Sequence, residues 1–175
     1  MTAIAGRLGR PEKLDDLLLY RLSRLLSVAG GMVIRLCEGR YGITRREWRV
    51  LGVLAQEDGL LSSQLAQRVQ LDRARTSRAV TSLVAKKLLQ REVGAGDRRQ
   101  ARLALTAQGR ALYDSLFPLV RQLNRDLLAA LAPATLEQLD GALDALQQRA
   151  DQLVALAELP KADRRRGGRV RRDLG

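Results

Sequence analysis

The chain has no histidine and a single cysteine, Cys37, among its 175 residues. The lack of histidine excludes a Ser-His-Asp triad, a histidine general base and a histidine metal ligand. One cysteine cannot form an intrachain disulfide or a multi-cysteine zinc site. We therefore expect no metal and no cofactor. Aromatic residues make up only 3% of the chain, so the core must be aliphatic, which favours helices over sheets.

Long hydrophobic runs are also missing. The first 13 residues hold no stretch of signal-peptide length. The longest uncharged run in the first predicted helix, Leu25 to Ile34, falls far short of the roughly 20 residues that span a bilayer. We therefore expect a soluble, cytoplasmic protein that does not enter a membrane.

Positive charge is plentiful, and it is unevenly placed. The net charge of +12 comes from 31 Lys and Arg against 19 Asp and Glu. Residues 60–110 carry 11 bases and 3 acids, whereas residues 111–160 carry 3 bases and 7 acids. Residues 161–175 are basic again, with 7 bases and 2 acids. A basic block beside an acidic one favours a polyanion-binding module carried on a separate scaffold.

The spacing of apolar residues predicts helices through most of the chain. A first long helix, from Glu12 to Glu38, carries a single apolar stripe along one face. Three further helices each begin at a predicted cap: Thr44, then Ser62 or Ser63, then Asp72, with the last helix running to about Leu89.

After the fourth predicted helix, the helical spacing of apolar residues stops. Two extended segments, 89–93 and 102–105, flank a glycine-bearing turn that is rich in arginine, which predicts a two-stranded hairpin, or wing. Thr106 caps a fifth helix, and Pro133 opens a sixth with apolar residues at heptad spacing. We expect this seam to support dimerisation through Leu136, Leu139, Leu143, Leu146 and Leu153.

These elements predict a mainly α fold with a small β wing: a winged helix-turn-helix whose N- and C-terminal helices form a dimerisation layer. We expect a flexible N-terminus over residues 1–11, a single domain over 12–160 and a disordered basic tail over 161–175. Within the domain, residues 12–38 and 107–158 form the dimer layer. The winged helix-turn-helix lobe covers residues 43–106.

The fourth helix is the predicted recognition helix, because its first turns are rich in arginine. The start of such a helix reaches base edges in the major groove. Arginine reads guanine or phosphate, and serine serves either. The predicted DNA contacts are Arg73, Arg75, Ser77 and Arg78 on this helix, and Arg98 and Arg99 in the wing, where arginine reads a narrow minor groove. We expect Asp97 to pair with a nearby arginine and to hold the geometry of the wing.

The chain resembles the MarR family of bacterial transcription regulators over roughly residues 12–157. The matching stretches are TRREWRVLGVL and SSQLAQRVQLDRARTSRAVTSLVAKKLLQREVGAGDRRQARLALTAQGR. The strongest element is the D-x-R wing motif, Asp97 to Arg99, which runs into the helix start at Leu105-Thr106 and is followed by Gly109. Leu88 stands where members of the family often carry glycine.

The resemblance implies a homodimer that binds a palindromic operator on double-stranded DNA and is released by a small ligand. That ligand is commonly an aromatic or phenolic acid, held between the dimer layer and the lobe. An arginine fork suits its carboxylate, and tryptophan offers a flat face for its ring. The candidate pocket residues are Arg21, Arg24, Tyr41, Trp48 and Arg49.

Three alternatives remain open at this point. Cys37 lies between Arg35 and Arg40, which would lower its pKa and suit a redox-sensing repressor. A winged helix can also bind RNA, protein or DNA without sequence specificity. An enzyme is the third class. Its candidate carboxylates look like helix caps with no nucleophile beside them, so we expect no catalysis: Glu12, Asp15, Asp16, Glu57 and Asp58.

Overall fold

The computed structural model describes residues 6–92 and 101–157. In chain order the elements are a 3₁₀ turn Leu14–Asp16, α1 Leu18–Ile34, a π-helical segment Arg35–Arg40, α2 Arg45–Gln56, β1 Leu60–Leu61, α3 Ser62–Arg68, α4 Arg73–Ala85, β2 Leu89–Glu92, β3 Arg102–Leu105, α5 Ala107–Leu128 and α6 Pro133–Leu156. The fold is mainly α with a small sheet, as predicted. No helix in the described ranges is long and apolar enough to cross a bilayer.

Three of the predicted helix caps are confirmed by their hydrogen bonds. The Thr44 hydroxyl accepts from the Glu47 amide at 3.2 Å, and the Asp72 carboxylate accepts from the Arg75 amide at 2.7 Å. At the start of α5, the Thr106 hydroxyl accepts from the amide of Gly109 at 3.0 Å. Each bond satisfies one amide that the first turn of a helix leaves without an intrahelical partner.

The prediction of a serine cap for α3 is wrong. Ser62 is already helical and Leu61 is the residue before the helix, without a side-chain cap of its own. Instead, the Gln64 side chain reaches back and accepts a hydrogen bond from the Leu61 amide at 2.9 Å. A side chain at the third helical position therefore satisfies the amide of the residue before the helix, which is a different amide from the one a serine cap would bind.

Two helix boundaries also differ from the expectation. The first helix is not continuous from Glu12 to Glu38, because it follows a separate 3₁₀ turn and passes into the π-helical segment. The fourth helix ends at Ala85, about four residues before the predicted end. Lys87 then adopts φ 59°, which turns the chain out of the helix and places Leu88 in the core.

The wing is part of a three-stranded antiparallel sheet in the order β1-β3-β2. In the hairpin, Leu89 pairs with Leu105 and Glu92 with Arg102, which confirms the predicted strands. The third strand, β1, was not predicted; there Leu60 pairs with Leu103. This added strand joins the wing to the segment between α2 and α3.

The core lies where α2, α3, α4 and the sheet meet. It is almost entirely aliphatic, as the composition requires, and its fully buried side chains include Leu51, Leu54, Leu65, Leu83 and Leu103. Burying each leucine contributes roughly 2 kcal/mol to folding. This core fixes the positions of the two helices of the helix-turn-helix.

The chain divides into two compact units after Ala129. The first unit contains α1 to α5 and the sheet, and the second contains α6. No residue of α6 is buried. The leucines of the heptad seam keep between 37% and 50% of their surface exposed at Leu139, Leu143, Leu146 and Leu153, and Leu136 is half-buried.

Candidate nucleic-acid interface and effector cavities

Helix α4 has one buried face and one basic, exposed face. Thr76, Ala79, Val80 and Leu83 point into the core. The residues on the opposite side are exposed, and they are the four that sequence reasoning placed on DNA: Arg73, Arg75, Ser77 and Arg78. Because burial of one face fixes the rotation of the helix, this basic face is held toward solvent.

The start of α4 is braced by Asp72. Its carboxylate caps the helix and also lies 3.2 Å from the Nε atom of Arg75. The hydroxyl of Thr76 donates to the Asp72 carbonyl at 3.0 Å. Arg75 therefore has a defined partner at the base of the recognition helix, whereas Arg73 and Arg78 have no ion-pair partner within residues 6–92 and 101–157.

The base of the wing is also fixed. Arg102 on β3 donates to the Gly59 carbonyl at 2.8 Å, and the Leu105 amide donates to the Asp58 carboxylate at 3.3 Å. The wing residues Asp97, Arg98 and Arg99 lie outside the described residues. Their expected roles stay predictions.

An ion pair between the exposed Lys86 and the buried Glu47 ties the end of α4 to the start of α2. Lys86 Nζ lies 2.9 Å from both carboxylate oxygens of Glu47 and donates to the Gly42 carbonyl at 2.8 Å. The Glu47 side chain is only 2% exposed, and it also accepts from the Thr44 amide. Burial alone raises the pKa of Glu47, but hydrogen bonds from Ser82, the Thr44 amide and Lys86 outweigh it and lower the pKa. Sequence reasoning missed this pair.

An apolar cavity of about 330 Å³ lies between α1, the start of α2 and the second half of α5. Most of its lining is aliphatic, with Trp48, Arg45, Arg49 and Asn124 as the polar or aromatic exceptions. The guanidinium of Arg45 lies over Gly30, where an added Cβ would come within 3.4 Å of Nη1. An apolar pocket with a few convergent polar groups is the usual form of a small-ligand site.

Of the five predicted pocket residues, Trp48 and Arg49 line this cavity and three do not. Arg24 pairs with Asp15 at 3.0 Å, and the Tyr41 hydroxyl donates to the Ser115 carbonyl at 3.2 Å. Arg21 is half-buried and does not contribute to the lining. Sequence reasoning missed Arg45, although its spacing of four residues from Arg49 places both on one helix face.

The Trp48 ring is the first of three stacked aromatic rings. Its centroid lies 5.3 Å from that of Tyr113, which in turn lies 5.4 Å from that of Phe117. The interplanar angles are 21° and 20°. Trp48 is only partly buried, so the stack anchors the ring against α5 while leaving part of it at the cavity wall.

Cys37 is fully buried in the core. Burial and the neighbouring Glu38 raise the pKa of its thiol, against smaller opposing effects of a backbone hydrogen bond and Arg45. A reactive cysteine needs exposure and a lowered pKa. Cys37 meets neither condition, which argues against a redox-sensing role. In the part of the chain that the structure describes, no cluster of acidic or cysteine side chains is arranged to hold a metal ion.

The comparisons with known proteins agree with this geometry. Residues 41–100 match the sequence model of the MarR family. The MarR family transcriptional regulator SPO1453 from Silicibacter pomeroyi DSS-3 is 29% identical, with a TM-score of 0.67 over 79% of this chain and 98% of that one. A second MarR family regulator from Silicibacter pomeroyi is 25% identical, with a TM-score of 0.66 over 84% and 94%. The fold of MepR from Staphylococcus aureus, solved with DNA, is also similar: 24% identity and a TM-score of 0.67 over 76% and 98%. The comparison with curated protein sequences gives no significant match.

Proposed function

We propose that this chain is a winged helix-turn-helix transcription regulator of the MarR family, to which its sequence and fold are similar, and that it acts as a ligand-responsive repressor. In this proposal a homodimer binds a palindromic operator and is released by a small aromatic or heteroaromatic carboxylic acid. The observation that carries the proposal is the exposed basic face of α4, together with an apolar cavity whose α2 wall contains arginine. Helix α2 also packs against α4, so one helix contacts both the proposed effector site and the proposed DNA-binding helix.

The DNA contact rests on the placement of α4. Its exposed arginines have the reach and the donor geometry for guanine edges and phosphates. Arg78 and Arg73 are free of ion pairs among the described residues, so binding DNA costs them no existing partner. We assign Arg75, Ser77 and the wing residues Arg98 and Arg99 to the same interface, with Asp97 positioning the wing.

The dimer is proposed from the apolar residues that the chain leaves uncovered. Besides the leucines of α6, several large apolar side chains of α1 are more than 40% exposed: Leu19, Leu25, Leu26, Val28 and Met32. A second copy of the chain covers such surfaces in a two-fold symmetric assembly. A dimer also presents two recognition helices, which is what a palindromic site requires.

The effector site is proposed in the 330 Å³ cavity. An aromatic ring would lie against Trp48 and the aliphatic wall, and its carboxylate would bind the guanidinium groups of Arg45 and Arg49. The cavity is walled by the start of α2, which the Glu47–Lys86 pair ties to α4. A ligand that shifts α2 would therefore also shift α4, the proposed recognition helix. Repression is the expected outcome of binding near a promoter.

The DNA assignment is tested by competition binding. A duplex selected by the protein from a random library is compared with unselected duplex, for the wild type, Arg78→Ala and the control Arg121→Ala on exposed α5. A base contact by Arg78 predicts a loss of about 1–3 kcal/mol per contact on the selected duplex and a smaller loss on random duplex. Equal losses on both would instead indicate a winged helix without sequence specificity.

The effector assignment has its own test. Salicylate is titrated into the protein while its thermal stability is recorded. We expect Arg49→Ala to need at least a tenfold higher salicylate concentration for the same thermal stabilisation. Arg24 lies away from the cavity, so Arg24→Ala should leave this concentration unchanged. If both variants behave like the wild type across a panel of aromatic acids, the cavity is not the effector site.

A further inference from the structure

A second cavity, of about 470 Å³, lies between the end of α1 and the starts of α2 and α4. Four arginines line it: Arg45, Arg46 and Arg49 from α2, and Arg75 from α4. Glu38 is the one acidic residue in its lining. The four guanidinium charges and one carboxylate leave this cavity with a net charge of +3.

Three of these arginines, Arg45, Arg46 and Arg49, have no ion pair anywhere in residues 6–92 and 101–157, although the Glu38 carboxylate lines the same cavity. Arg75 differs, because the carboxylate of Asp72 lies 3.2 Å from its Nε atom. Like charges gathered around one concave surface repel each other, and the repulsion is relieved when a multivalent anion enters.

The two cavities differ in chemistry although they share a wall. Arg45 and Arg49 line both, but the first cavity is otherwise largely apolar and suits an aromatic ring. The second adds Arg46 and Arg75 and lacks an aromatic face. Guanidinium groups match phosphate and related oxyanions through paired N–H donors, and several of them together favour a multivalent anion over a single carboxylate.

We propose that the second cavity binds a compact multivalent oxyanion of the phosphate class. Arg46 and Arg75 are the two arginines that would bind this anion and that the effector cavity lacks. The site shares Arg45 and Arg49 with the effector cavity proposed above but extends to α4 through Arg75. Arg75 also lies in the first turn of α4, the proposed recognition helix. An oxyanion in the cavity therefore draws the Arg75 guanidinium toward the protein and away from DNA, a consequence that rests on the proposed function.

Two sources supply this chemistry: a soluble phosphorylated small molecule, and a phosphate of the DNA backbone. Substitution of Arg46 distinguishes the two sources. Arg46 lines only the second of the two cavities and is not among the residues assigned to base contacts. The matched control is Arg121, an exposed arginine of α5 that lines neither cavity.

The first experiment titrates pyrophosphate into the full-length, DNA-free protein by calorimetry at fixed ionic strength. We expect saturable binding to the wild type and to Arg121→Ala, and at least tenfold weaker binding to Arg46→Ala, with circular dichroism confirming that each variant is folded. No saturable binding, or equal weakening in both variants, overturns the proposal. Because neither DNA nor an aromatic acid is present, this result does not depend on the repressor model.

The second experiment identifies the source by measuring affinity for the selected duplex. With a soluble oxyanion as the occupant, Arg46→Ala alone leaves DNA affinity unchanged, and pyrophosphate weakens DNA binding of the wild type more than that of the variant. With a DNA phosphate as the occupant, Arg46→Ala weakens selected and random duplex equally and lowers the salt dependence by about one phosphate per protomer. Both results support an oxyanion site. A variant that matches the wild type in DNA affinity, salt dependence and pyrophosphate sensitivity overturns it.

Discussion

The winged lobe and the terminal helices are built from similar aliphatic residues, yet only the lobe covers them. Leucines of α2, α3, α4 and the sheet are buried almost completely, whereas α6 has no buried residue and α1 buries only Gly30. The difference is not one of composition. The lobe completes its hydrophobic core within a single chain, while the terminal helices present exposed apolar stripes, which the proposed dimer would cover.

The same contrast separates two ways in which this chain is stabilised. Stability of the lobe is intramolecular and independent of concentration. In the proposed dimer, stability gained by covering the terminal helices depends on mass action and hence on protein concentration. Substitutions in the two regions should therefore differ in kind as well as in size.

The largest effect is expected from Leu143→Asp on the α6 seam. In the proposed dimer this carboxylate is buried twice, once from each copy, without a partner. We expect the dimer dissociation constant to rise at least a thousandfold, roughly 4 kcal/mol, and operator binding to be lost with it. Sedimentation over a concentration series measures this effect.

The control for this substitution is Gln148→Asp, which places the same charge on the α6 face opposite the seam. It should leave the dimer intact. A wild-type protein that is monomeric at micromolar concentration while binding its operator would remove the basis of the comparison.

Where the lobe meets α5, the most severe single change is expected to be Gly109→Ala. An added Cβ would lie 2.0 Å from the Leu88 carbonyl oxygen, which is backbone and cannot rotate away. The start of α5 must move from the turn after α4, at a cost of roughly 3 kcal/mol. Chemical denaturation should show this loss at every protein concentration. An unfolding free energy within about 0.5 kcal/mol of the wild type would mean that this contact relaxes freely.

Glu47→Gln should cost about 2 kcal/mol at neutral pH, because it removes the charged partner of Lys86. The folded-state pKa of Glu47 is lowered, so the stabilisation is complete above the unfolded-state pKa near 4.3 and is lost as the pH falls toward the folded-state value. The difference between wild type and variant should therefore shrink below about pH 4.3. A difference that grows on acidification would contradict the lowered pKa.

Sequence reasoning succeeded where the deciding interaction is local. The side chains of Thr44, Asp72 and Thr106 each accept a hydrogen bond from the amide three residues later. Four consecutive residues of the sequence therefore contain both partners. The hairpin was likewise predicted from its two extended segments and the glycine-bearing turn between them, and the strand pairing confirms it. The exposed basic face of α4 followed from the apolar spacing on its other side.

Apart from the cap of α3, it failed where the deciding contact comes from a distant residue. The strand β1 has only two residues and exists because Leu60 finds Leu103. Glu47 and Lys86 are 39 positions apart, and nothing near either one indicates the pair. The end of α4 depends on Lys87 accepting a left-handed conformation so that Leu88 can be buried, which tertiary packing decides. Arg45 lines the cavity because its guanidinium lies against Gly30 of α1, a contact that its own sequence neighbours do not indicate.

The smallest effect is expected from Gly141→Ala, the same substitution as at Gly109 but placed on α6. Here an added Cβ meets nothing within 4 Å. Alanine loses less backbone entropy than glycine in a helix interior, so the helix should gain up to about 1 kcal/mol. Gly141 lies on the α6 face opposite the heptad seam, and the dimer dissociation constant should stay unchanged. Denaturation and sedimentation together check both statements. A loss of stability or of dimer would place a packed partner on this face and move the proposed interface around the helix.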